Sequence, residues 1–86
     1  MKWDIFSDNR TKIILKNSKM MIYLCYYDKY PDKCSVSCKK ISYSKMFTAH
    51  SIDEAKKIAE NLIVQALRDY QKKLDVVIEE IEAHRL

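Results

Sequence analysis

Apolar and polar positions change rhythm near the middle of this chain. Before residue 50 they run in short bursts, and after it they recur at helical spacing. The burst "TKIILK" (11–16) is β-branched and flanked by polar residues, the pattern of a strand. Asn17 and Ser18 then offer a two-residue hairpin turn, since Asn tolerates positive φ. In "KMMIYLCYY" (19–27), Met20, Ile22 and Leu24 alternate with Met21, Tyr23, Cys25 and Tyr27. Both faces are apolar, which predicts a central strand. "DKYPDK" reads as a turn, with Pro31 fixing φ. The alternation of "CSVSCKKISYSKMFTA" (34–49) slips phase at Lys39 and Lys40. A bulge there restores one apolar face; a turn splitting the stretch into two strands is the alternative. "WDIF" (3–6) is a further short strand or a cap on the core.

The second half predicts one helix. Ser51 followed by Glu54 makes a capping box, "SIDE". Asp53 and Glu54 sit in the first turn, where acids favour the helix dipole. From Ile52 to Ile81 apolar residues recur at spacings of three and four, with no Gly or Pro between them. A helix of roughly 30 residues is about 45 Å long, whereas a sheet of eight-residue strands spans about 27 Å. The far half of the helix therefore overshoots the sheet. There Ile63, Leu67, Tyr70, Leu74, Val77, Ile81 and His84 follow a 4-3-4-3 rhythm, a short coiled-coil seam. Leu67, Tyr70, Leu74, Val77 and Ile81 are the expected contacts with a second copy or a host partner. The competing reading is a break near "RDYQKK" with the chain folding back; helix propensity argues against it.

The expected architecture is α+β: a three- or four-stranded antiparallel sheet (1–50) followed by one long C-terminal helix (51–86), in a single domain. Eighty-six residues bury a modest fraction of their surface, so such a domain is marginal without a staple or a partner. An apolar fraction of 48% is enough for a core. No apolar run approaches the roughly 20 residues of a membrane span, and no stretch of signal-peptide length opens the chain. A bacterial host cytoplasm, reduced thiols and no membrane contact are the expectation.

Glycine is absent, where about six would be usual at this length. Phosphate loops, dinucleotide fingerprints and nucleophile elbows all need it. Turns fall to Asn, Asp, Ser and Pro. Charge is uneven as well: residues 1–50 carry net +6 and residues 51–86 net −2, within a total of +4.

Cys25, Cys34, Cys38, His50 and His84 are the available metal ligands. "CSVSC" has knuckle spacing, but it alternates like a strand, and strand residues four apart are about 13 Å distant. No metal and no cofactor are expected. The same distance forbids a Cys34–Cys38 disulfide, while Cys25 facing either of them across the hairpin would permit one. Buried thiols acting as small hydrophobes are the simplest reading. Neither His lies in a catalytic motif, and Glu79 and Glu80 project in different directions from a helix, so no enzyme is expected.

The basic half suggests a surface instead. Tyr23, Tyr27 and Tyr43, with Lys39, Lys40 and Lys45 nearby, are the expected partner-binding residues on a sheet face the helix leaves uncovered. Aromatic, cationic sheets bind single-stranded nucleic acid or dock on acidic protein surfaces; equally, such residues can merely keep a sheet solvated. The stretch "HSIDEAKKIAENLIVQAL" is similar to the last helix of double-stranded-RNA-binding domains. Those domains place lysines on phosphate at the helix start, where Asp53 and Glu54 here repel it, and their first helix and glycine loop are missing.

Ala49, Ser51, Glu54, Ala55, Lys56 and Ala59 form the pattern A-x-S-x-x-E-A-K-x-x-A, with Trp3 near the front. In this the chain resembles the small β-β-β-α proteins of bacteriophages and mobile elements, though without their usual glycines and with a longer helix. The resemblance implies an anti-defence inhibitor of anti-CRISPR type, occupying a surface of a bacterial nuclease or nucleoprotein complex. Direct nucleic-acid binding and a dimeric regulatory module on the helix seam are the alternatives.

Overall fold

Each strand pairs antiparallel with the next in sequence, giving a five-stranded meander in the order β1-β2-β3-β4-β5. The computed structural model describes residues 1–85. The strands are β1 (Asp4–Asp8), β2 (Lys12–Asn17), β3 (Ile22–Tyr27), β4 (Cys34–Cys38) and β5 (Tyr43–Phe47). One helix, α1 (Ile52–Ala83), follows them. Leu86, the expected end of the helix, lies outside the described residues.

The strand count exceeds the expected three or four for two reasons. The opening segment pairs with β2 through a bulge between Ile5 and Ser7 and becomes a full edge strand. The phase slip at Lys39 and Lys40 is a turn, not a bulge: Lys39–Ile41 form one 3-10 turn. Ser42 follows in the left-handed region, its N–H donating to the Lys39 carbonyl at 3.2 Å. Ejecting two lysines into a turn keeps their charges in water and lets β4 and β5 each keep one apolar phase.

β3 starts at Ile22, three residues later than the pattern suggests. The Asn17 Oδ1 accepts the Met20 N–H at 3.1 Å, which closes the connecting loop. Met21 ends that loop with φ at 55°. A Cβ in the left-handed region costs about 1–2 kcal/mol, and no glycine is present to take the position. Met21→Asn is therefore expected to stabilise the fold by about 0.5–1 kcal/mol, read as a higher urea midpoint at unchanged slope.

The core lies between the centre of the sheet and the first half of the helix. Ile22, Leu24 and Tyr26 of β3 and Cys34, Val36 and Cys38 of β4 point to the same face, and all are buried. Ala55, Ala59 and Ile63 meet them from α1. Two alanines on the contact stripe let the helix backbone approach the sheet closely. Ser51 caps the helix, its Oγ accepting the Glu54 N–H at 3.1 Å. Ser51→Ala is expected to cost about 1 kcal/mol in chemical denaturation. The start of the chain is clamped to α1 through one carboxylate: Trp3 Nε1 donates to Glu60 Oε2 at 3.1 Å, and the terminal ammonium lies 3.6 Å from Glu60 Oε1.

Tyr26 is a titratable member of the core. Burial pushes its phenol above the usual value, and the nearby Asp28 carboxylate adds to the effect. The folded state thus holds this proton more tightly than the unfolded chain. The stabilisation is complete below pH about 10 and is lost as pH rises through the folded pKa. Tyr26→Phe should flatten that alkaline decline, measured as urea midpoints between pH 9 and 11.

Past Leu67 every described helix residue is exposed. The helix does not break near "RDYQKK"; it runs on as a bare arm, and the molecule measures 60 × 21 × 17 Å.

Candidate interaction surface

The helix covers one face of the sheet and leaves the other open. Strand register decides which side chains lie there. Lys12 pairs with Tyr27, Ile14 with Cys25 and Lys16 with Tyr23, all on the open face. Tyr23 and Cys25 continue across to Ser37 and Ser35 of β4, which pair with Ser44 and Met46 of β5.

Tyr23 and Tyr27 therefore sit where the sequence places them. Tyr43 and Lys45 do not. They pair with Cys38 and Val36, whose side chains point to the helix, so both belong to the covered face. Tyr43 packs against the margin of the core, and Lys45 is exposed on the edge strand. The reason is the turn at Lys39–Ile41, which resets the alternation of β5 relative to β4. Lys39 and Lys40 occupy that turn, and Lys39 leans back over the open face.

Lysines and rings are interleaved on this face. Lys16 Nζ stands 5.7 Å from the ring centres of both Phe6 and Tyr23. Lys39 Nζ stands 5.6 Å from Tyr23, and Lys12 Nζ 5.6 Å from Tyr27. Phe6 meets Tyr23 edge-on at 5.7 Å. Nearby, Lys33 lies 4.9 Å above Tyr30. Each such contact contributes about 0.5–1 kcal/mol at an exposed site, which orders the long lysine stems. Among the strand residues paired across this face, the only carboxylate is Asp4, opposite Lys16. The result is a patch of positive charge on an aromatic floor.

Phe6, Lys12 and Lys16 escape the sequence reading. The alternation of Lys12, Ile14 and Lys16 is visible in the chain, but only pairing with β3 puts these lysines beside Tyr27 and Tyr23. Phe6 needs the β1 bulge to reach Tyr23.

The cysteines divide between the faces. Cys34 and Cys38 are fully buried on the covered side, and the Cys38 thiol donates to the Met20 carbonyl at 3.5 Å. Cys25 lies on the open side, so it cannot bridge to either, and the disulfide considered from the sequence is excluded by register. Among the described residues no cluster of three or more His, Cys, Asp or Glu side chains could hold a metal ion. No described helix is long and apolar enough to cross a membrane.

The arm is the second exposed feature. Tyr70, Leu74, Val77 and Ile81, four of the five expected seam residues, lie along it, each at least 39% exposed. Leu67, the fifth, is partly buried against the edge of the core. No protein-family model, no curated protein and no solved structure matches this chain.

Proposed function

We propose that this chain is a non-enzymatic binding protein that lays its open sheet face on an acidic surface of a partner protein. The ring-and-lysine lattice of Phe6, Lys12, Lys16, Tyr23, Tyr27 and Lys39 carries the reading. Rings held in place by the sheet supply rigid contact area at low entropic cost, and ordered lysines meet carboxylates without much further loss of freedom. The resemblance to small phage proteins extends the proposal to an inhibitor of a bacterial defence nuclease. On electrostatic grounds this face suits an acidic patch of such a nuclease or nucleoprotein complex rather than its basic nucleic-acid channel.

Nucleic acid is the second reading. Lysine ammonium groups stand over Tyr23 and Tyr27, positions a stacking base would need, and this favours the protein partner. Affinity capture from a bacterial lysate, with Lys16→Glu/Lys39→Glu as control, tests the choice. A specific protein captured by the native chain and lost with the variant supports the proposal. No specific capture, or equal capture by both, counts against it. A gel shift with single-stranded oligonucleotides whose affinity falls steeply with salt would transfer the site to nucleic acid.

A further inference from the structure

We infer that the bare helix arm is a dimerisation element that packs antiparallel against the same arm of a second copy. Tyr70, Leu74, Val76, Val77, Ile78 and Ile81 expose apolar side chains along 70–83, about 20 Å of helix. Small monomers rarely present so continuous an apolar strip. Its seam continues the line of Ile63 and Leu67, which pack under the sheet. A second helix on that seam therefore lies in the same layer as the sheet, just beyond its end.

This placement decides the direction of pairing. In a parallel dimer both sheets would occupy the space between the same halves of the two helices and collide. Antiparallel pairing sends each helix end toward the other copy's sheet. A cleft of about 240 Å³ waits there, between Ile41 and Tyr43 at the sheet corner and Tyr70 and Lys73 on the helix.

Charge agrees with geometry. The near part of the arm carries Arg68, Lys72 and Lys73 with Asp69 and Asp75, net +1, and the far part carries Glu79, Glu80 and Glu82 with Arg85, net −2. Antiparallel overlap sets near against far and brings Lys73 level with the partner's Glu80. Parallel overlap sets like against like. Flanking charge pairs of this kind choose orientation in coiled coils. The dimer would hold its two open sheet faces pointing in opposite directions, so one assembly could bind two copies of a partner.

Sedimentation equilibrium of the full chain across about 1–500 µM tests the inference. The mass is expected to rise from 10.2 kDa toward twice that value. Leu74→Glu/Val77→Glu should raise the dissociation constant at least about 100-fold while circular dichroism shows the sheet intact, because both residues are exposed in the single chain. Lys73→Glu alone should weaken the dimer about tenfold, and adding Glu80→Lys to the same chain should restore it. A monomer at every concentration overturns the dimer, whether the arm then takes a different protein or a vesicle surface. A dimer indifferent to Leu74→Glu/Val77→Glu overturns the seam, and failure of the double charge swap to rescue overturns the antiparallel direction. Lys16→Glu/Lys39→Glu should leave the mass unchanged, so this test stands or falls apart from the sheet-face proposal.

Discussion

Leu24→Ala is expected to cost about 2–5 kcal/mol, up to half or more of the stability of a domain this size. Leu24 is fully buried at the centre of β3, paired with Leu15 on one side and Val36 on the other. Truncation removes its transfer free energy and leaves a cavity that the paired strands cannot close by moving inward. Urea denaturation should show a much lower midpoint at similar slope. Ile5→Ala makes the control. Ile5 pairs with Leu15 and so belongs to the helix-side face, yet it lies beyond the helix and is 69% exposed. Its loss should stay within about 0.5 kcal/mol. A small effect at Leu24 would mean that the helix does not seat on β3 and β4.

Reversing Lys12, Lys16 and Lys39 together to Glu is expected to reduce partner affinity at least about 100-fold. Like charges brought face to face at an interface cost several kcal/mol, and here three lie on one small patch. The fold should survive, since all three side chains reach solvent; the loss of stability should not exceed the few ring contacts given up, each about 0.5–1 kcal/mol. The measurement is an affinity titration of the captured partner at two salt concentrations, with thermal melts in parallel. The native complex should weaken with salt, and the Lys12→Gln/Lys16→Gln/Lys39→Gln variant should lose most of that dependence. A partner bound equally by native and reversed chains would move the contact away from this face.

The candidate surface was half legible in the chain. Tyr23 and Tyr27 belong to a strand so regular that their shared face follows from period two alone. Lys39 and Lys40 stand out in the chain as cations breaking an alternating stretch, and Lys39 does reach Tyr23. The misplacement of Tyr43 and Lys45 has one source: uninterrupted alternation from Cys38 sends odd positions to the open face, and the interruption at residues 39–42 returns them to the covered one. Lys12 and Lys16 carried no mark of function, because the rings they cover lie on other strands. Chemistry that depends on cross-strand register is invisible until the register is known.

Local signals were enough for the helix. Ser51 and Glu54 mark its start, and unbroken three-four spacing without Gly or Pro carries it through the arm, because helical hydrogen bonds join residues close in sequence. The α+β class and the central role of β3 follow from the same short-range rules. Tertiary structure alone decided the rest. It settled five strands over four by closing the Lys39–Ile41 turn. It separated Cys25 from Cys34 and Cys38 by the thickness of the sheet. It also made one side of that sheet a core and the other a surface. Those outcomes rest on pairings between residues distant in the chain, where a shift of one position exchanges the two faces, and no local preference is strong enough to fix that choice.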